Sequence, residues 1–295
     1  MCELPPSQGD VGRRSLSIRA MARPPLLNAA ESDFAYAAAQ CVVETHRRLV
    51  SFVRRGHTLA EVDAEVARIF RGLGCRSCFL GYRVGRLPAF PSHACLSVND
   101  CIVHGTAASH TEPLKEGDLF SIDIGVWHKG WIGDAAWTYA IGSVSEENRR
   151  LMRCGREALR RGIGAMQPGA HYADFARAVQ GHVEGECRFH CIRGLGGHGI
   201  GRKLHGPPFI ANVMPPPGRP AEWPEAFDVF RPGLLVAVEP MIGVGTGDTA
   251  QGHGQWPIHT ADGSASVHYE ADVLVTESGP KDLTDGLFEL PEIIG

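Results

Sequence analysis

The sequence predicts one α/β domain, and three observations lead there. Segments with helical apolar spacing alternate with strand-like runs. A unit of helix, glycine, helix and strand-like sequence occurs twice. A chain of 295 residues is also long enough to bury roughly 75% of its unfolded surface in a core that needs no staples.

The elements follow in order. Residues 1 to about 30 read as a flexible tail ahead of a single domain over 31–295, and Met21 is an alternative start. Arg13-Arg14 hints at a twin-arginine signal, but no apolar run follows, so export is not expected. Over 31–54, Phe34, Ala38, Cys41, Val42, Leu49 and Val53 form an apolar stripe that ends at Gly56. Thr58-Leu59-Ala60-Glu61 is a capping-box pattern opening a helix to about Gly72. Glycines and prolines break the pattern from 79 to 99, leading into a short strand, Ala94 to Val98. Two strands follow, Leu119 to Val126 and Ala136 to Ile141, with Lys129-Gly130 as turn chemistry between them. Further helices are expected from Ser145 to about Gly164 and from Tyr172 to Glu184. The proline-rich stretch 212–233 reads as a surface loop. Two apolar strands close the pattern, Leu234 to Glu239 and Ser266 to Thr276.

The repeat is visible in the residues. Gly56-His57-Thr58-Leu59-Ala60-Glu61-Val62 resembles Gly169-Ala170-His171-Tyr172-Ala173-Asp174-Phe175, 113 residues later. Two such units imply a domain with an internal pseudo-twofold.

Composition excludes several classes. A net charge of −4 gives no footprint for nucleic acid. No run approaches the ~20 apolar residues of a membrane span. Nine cysteines in no regular spacing fit a reducing cytosol better than a disulfide framework. Cys75 and Cys78 form a CxxC with no second copy, so an unpaired structural role is expected. The 36 glycines and 14 histidines suggest a loop-rich, enzyme-like chain.

The chemistry gathers around Gly197-His198-Gly199-Ile200-Gly201, with His205 seven residues after His198. Four carboxylates stand in or beside apolar strand-like sequence: Asp123, Asp134, Glu239 and Glu270. Singly, each has an ordinary explanation as a cap, a salt bridge or a solvated position. Together with His198 they suit two divalent metals, because carboxylates are rarely buried unless paired or metal-bound. Two metals about 3.5–4 Å apart can hold a hydroxide nucleophile and polarise a carbonyl.

In order and spacing, these motifs resemble the methionine aminopeptidases of bacterial type. The resemblance rests on Ser97-Val98-Asn99-Asp100 through His104-Gly105, on Asp123-Ile124-Gly125 with Gly133-Asp134, on the His198 motif with His205, and on Glu239-Pro240-Met241 and Tyr269-Glu270. It implies the pita-bread fold, a curved, mostly antiparallel sheet flanked by helix pairs in pseudo-twofold halves. It also implies two divalent ions, of cobalt, manganese, iron or zinc. Asp123 would chelate one, His198 and Glu239 would hold the other, and Asp134 and Glu270 would bridge. Glu239, or the water network near it, would move protons, His205 would stabilise the tetrahedral intermediate, and His104 would contact the scissile amide. Phe90, Cys95 and Trp256, with Phe79 as a weaker candidate, would line an apolar pocket suited to a thioether. The implied substrates are N-terminal methionine peptides and nascent chains with a small second residue. The implied setting is a cytoplasmic monomer working near the ribosome, without nucleic acid or membrane.

The chain departs from that pattern in three places. Ala271 follows Glu270, where the bacterial-type enzymes usually have histidine. Gly206 follows His205, where an acid is usual, and the segment between His205 and Glu239 is long. The sequence also admits two rival readings. One is a proline-directed relative of the prolidase or aminopeptidase P kind, and the other is a non-catalytic binding module of the same fold.

Overall fold

Three of the described α-helices begin at a residue whose side chain satisfies the first turn. Asn28 caps Ala29–Phe52 and Thr58 caps Leu59–Leu73, and in both a glutamate three residues on completes the capping box. Gly74 closes the second helix in the left-handed conformation, with φ 67°. Ser145 caps Glu146–Ala165. The fourth helix runs over Tyr172–Gln180 and not to Glu184 as expected. At Gly181 the backbone widens into a π-helix, Gly181–Cys187. Gly181 and Gly185 hold an α-helical turn weakly, which lets the change occur there.

The computed structural model describes residues 24–295 apart from 217, 220 and 221. Met21, Arg13-Arg14 and most of the expected tail therefore lie outside the described residues. At the inner end of that stretch, Leu26 bridges Leu234 and the Leu27 N–H donates to Gly233 O at 2.7 Å.

Two five-stranded sheets build the middle of the molecule. In the first, Leu119–His128 and Trp131–Ile141 form a long antiparallel hairpin. Lys129 and Gly130 turn it with φ of 49° and 85°, the positive pair of a type I′ turn. Cys95–Val98 lies on the other side of Leu119–His128, with Cys95 opposite Asp123. In the second sheet Leu235–Val238 sits between Ala271–Thr276 and Gly196–Gly199. The expected continuous strand Ser266–Thr276 is two strands. Ser266–His268 pairs with Met241–Gly243, and Ala271–Thr276 pairs with Leu235–Val238. Tyr269 and Glu270 occupy the break because the two ends serve different sheets. The Glu270 N–H instead donates to Ala136 O at 2.9 Å, joining the second sheet to the first.

The repeat seen in the sequence extends into hydrogen bonds that no residue identity reveals. Gly56 N–H donates to Leu114 O and Leu114 N–H to His57 O; Gly169 and Phe230 do the same with Ala170. Glu61 and Asp174 reach back to the N–H groups of Thr58 and His171, both at 2.8 Å. Gly117 N–H donates to Ile141 O and Ile141 N–H to Asp118 O, as Gly233, Val275 and Leu234 do in the second half. Counting five residues along each matched strand superposes Asp123 on Glu239 and Ala136 on Glu270.

The first helix packs on the hairpin through a polar contact inside the core. His46 is fully buried, and its ring lies 3.4 Å from Ala135 O and 3.0 Å from the Tyr139 hydroxyl. The carbonyl can only accept, so Nε2 carries the proton and the hydroxyl donates to Nδ1. Burial pushes the imidazole down to about 4. The unfolded chain takes up this proton near pH 6.5 and the folded chain only near 4, so stability falls as pH drops through that window. Between pH 7 and pH 5 this group should account for about 2 kcal/mol of lost stability. Urea titrations of wild type and His46→Gln at both pH values check this: the wild-type difference should shrink by that amount in the variant.

Candidate metal centre

The two sheets aim their acidic residues at one place. Asp123 and Asp134 come from the facing strands of the hairpin, opposite Ala136 and Gly125 respectively. They therefore share one side of the sheet. Glu239 follows the last residue of Leu235–Val238, where Pro240 lacks the N–H needed to extend the ladder. Glu270 sits in the break just before Ala271–Thr276. His198 lies on the neighbouring strand, opposite Ala237. Ligand atoms of Asp134, His198 and Glu270 all fall within 4.8 Å of one another. His198 Nε2 is 3.8 Å from Glu239 Oε1.

The glycines beside His198 serve strand packing. They do not make room for the centre itself. A Cβ on Gly197 would stand 2.3 Å from Ala237 O, and one on Gly199 would stand 1.9 Å from Pro207 O. They let the two flanking strands approach, and the imidazole between them is placed as a result.

Electrostatics make this cluster a candidate cation site. Burial raises all four carboxyls above their ordinary values, Asp123 to about 6 and Glu239 to about 8. Asp134 and Glu270 are also pushed well up, by burial and then by the neighbouring carboxylates. Oδ1 of Asp123 and Oδ1 of Asp134 are buried without a hydrogen-bond partner, a costly state that a cation would relieve. The His198 ring is already committed. Nδ1 lies 3.2 Å from Gly199 O and must donate to it, which leaves the Nε2 lone pair for a metal. The residues present therefore fit divalent metal ions.

Three participants escaped sequence reasoning. His268 is buried with Nε2 unpartnered, 3.5 Å from Glu239 Oε2 and 3.8 Å from Glu270 Oε2. Its signal was present, since position 268 shares strand parity with Glu270. The Tyr82 hydroxyl lies 2.5 Å from His205 Nδ1, a contact across 123 residues of sequence that no local pattern encodes. Asp272 Oδ2 accepts the Asp134 N–H at 3.0 Å, fixing the backbone that carries that carboxylate.

The expected second-tier residues also assemble. His198 and His205 meet edge to face, with ring centroids 4.4 Å apart. His104, held at φ 58°, meets Trp256 at 5.9 Å. That left-handed backbone is strained for histidine and common at working sites. Burial lowers the His104 and His268 imidazoles to about 4, so both are neutral near pH 7. Phe79, Phe90, Cys95 and Trp256 belong to one apolar cluster separate from the main core. Phe90 contacts Trp256 at 5.2 Å and Phe79 at 6.2 Å. A cavity of about 510 Å³ opens beside Tyr82 and His205, with Arg76, Arg202 and Lys203 on its walls.

Residues 35–277 match the model of metallopeptidase family M24. The chain belongs to this family. Methionine aminopeptidase 1 of Mycobacterium tuberculosis is 36% identical over 267 residues, covering 89% of this chain and 95% of that protein. The crystal structure of a Thermotoga maritima methionine aminopeptidase aligns with a TM-score of 0.80 at 32% identity, covering 89% of this chain and 99% of that one. A prolidase from Pyrococcus furiosus shares the fold at a TM-score of 0.66 and 19% identity, and the alignment covers 65% of that longer chain. The fold is thus the pita-bread fold of these neighbours, and the chain is a metal-dependent hydrolase.

The centre makes a direct prediction. Asp134→Ala should leave the chain folded by circular dichroism while its bound divalent metal falls by at least half. Wild-type metal content by elemental analysis would remove Asp134 from the ligand set.

Proposed function

We propose that the chain is a methionyl aminopeptidase carrying two divalent metals. In this reading it removes the first methionine from peptides and nascent chains whose second residue is small. The observation that carries it is the convergence of Asp123, Asp134, His198, Glu239 and Glu270 beside the apolar cluster of Phe79, Phe90, Cys95 and Trp256. In this reading the first group holds the metals and the second takes an unbranched thioether. Manganese, iron, cobalt and zinc all suit a carboxylate-rich site with one imidazole, so availability selects among them.

Bound metals supply Lewis acidity and an activated water for attack on the amide. The chain's own residues do the rest. If the Tyr82 hydroxyl donates to His205 Nδ1, the His205 proton sits on Nε2 and can be donated to a carbonyl oxygen that gains charge. Neutral His104, beside Trp256, offers a hydrogen bond to the scissile amide. Glu239, with a carboxyl raised to about 8 before a cation binds, is suited to hold and release a proton. The same reading has the enzyme act in the cytoplasm, near ribosomes and as a monomer. Among the described residues no helix is long and apolar enough to cross a membrane.

A peptide panel with each metal restored to apo protein tests the proposal. Release of methionine from Met-Ala-Ser is expected, while cleavage confined to Xaa-Pro peptides would transfer the chain to the proline-directed branch. Metal binding without turnover on any peptide would favour a binding module. His205→Ala should keep its metal and lose about 10²–10³-fold in kcat, the usual cost of one oxyanion donor. Tyr82→Phe should lose less and shift the pH profile, because His205 then loses the partner that sets its tautomer; an unchanged profile would remove Tyr82 from that task.

A further inference from the structure

Outside the carboxylate cluster, a second group of side chains of metal-ligating type meets at the π-helix. Cys154 lies on the helix Glu146–Ala165, and His182 and Cys187 lie in the π segment. Ligand atoms of all three fall within 4.8 Å of one another. In an α-helix, residues five apart face away from each other, about 140° round the axis. The wider π turn, with its i to i+5 repeat, brings His182 and Cys187 to one side. His182 Nε2 then stands 3.4 Å from Cys187 Sγ. Zn–S and Zn–N bonds of about 2.3 and 2.0–2.1 Å at a tetrahedral angle place such atoms about 3.6 Å apart.

The other side of the ring is prepared as well. His182 Nδ1 lies 3.0 Å from Glu186 Oε2 and donates to it, which leaves the Nε2 lone pair directed at the two sulfurs. This carboxylate–histidine pairing is what orients an imidazole for a metal. Glu186 is itself held by Arg161 at 2.7 Å. A cavity of about 390 Å³ borders the trio between Arg150 and Phe189, leaving room for a water as fourth ligand.

We propose that Cys154, Cys187 and His182 bind one zinc ion, with water completing a tetrahedron, and that this ion ties the π-helix to the helix Glu146–Ala165. Binding displaces the two thiol protons to solvent, so two thiolates balance the charge of the ion. The first half of the molecule carries a partial counterpart. Cys41 and Cys75, 113 and 112 residues before Cys154 and Cys187, lie near His128, with Cys75 Sγ 3.6 Å from Nδ1. Among the described residues no carboxylate bonds the His128 ring, so this group lacks the orienting contact that distinguishes the second. Cys75 and Cys78 are both free cysteines, in keeping with the expected unpaired role, and Cys75 also contacts His128.

Cobalt(II) titration of the reduced full chain tests the assignment. Thiolate ligands give a near-ultraviolet charge-transfer band, which a centre made of carboxylates and imidazole cannot produce. The band should reach one equivalent per chain, be displaced by zinc, and vanish in Cys154→Ser/Cys187→Ser. It should persist in Cys41→Ser/Cys75→Ser and in Asp134→Ala, which separates this site from the M24 centre. Glu186→Gln should bind at least tenfold more weakly with the fold intact. No band, a band retained in Cys154→Ser/Cys187→Ser, a band lost with Cys41 and Cys75, or a Cys154–Cys187 disulfide forming in place of metal uptake would each overturn the proposal.

Discussion

Four carboxylates within a few ångströms of one another repel, and with Asp134 and Glu270 buried and Asp123 and Glu239 half-buried each has lost much of its water. In isolation such a group takes up protons, and the raised positions of Asp123, Asp134, Glu239 and Glu270 show that tendency. Holding them together needs a scaffold that does not yield and a counter-charge that can sit among them. The two sheets are that scaffold. Asp272 pins the Asp134 backbone, and the Glu270 N–H is spent on Ala136 O, so neither carboxylate can move away without breaking a buried hydrogen bond.

The internal repeat explains why the load is shared between halves. Each half contributes a helix pair and a strand pair, closed by the same backbone hydrogen bonds. Asp123 and Glu239 occupy matched positions, whereas Ala136 stands where Glu270 does in the other half. A symmetric pair would crowd a further carboxylate into the space. The second half adds His198 from a strand brought close by Gly197 and Gly199. The centre is thus asymmetric on a nearly symmetric frame, with one imidazole among four acids.

The departures from the bacterial-type pattern sit in ordinary surroundings. Ala271 is buried in the main core opposite Val238, while the buried His268 ring, two residues before Glu270, lies 3.5 Å from Glu239 Oε2. Gly206 pairs with Gly199, and a Cβ there would meet nothing closer than 3.5 Å; nothing in the structure explains glycine at that position. The long segment after His205 is anchored by Trp223, whose indole N–H donates to Phe209 O at 3.2 Å.

Much of this was legible in the chain itself. Thr58 with Glu61, Lys129-Gly130 and the alternating runs of the hairpin encode local geometry through contacts a few residues long, so their helices and turn could be read directly. The four acids stood out because carboxylates in apolar strands are costly, and their order together with His198 carried the family resemblance that implies all five as ligands. Contacts between distant segments were not. Tyr82 reaches His205, Asp272 reaches Asp134, and His182 meets Cys187 only because the backbone changes to a π-helix. Such pairings depend on how strands stack and where a helix widens. Short-range chemistry determined the elements and named the acids, and tertiary packing decided which of their neighbours share the site.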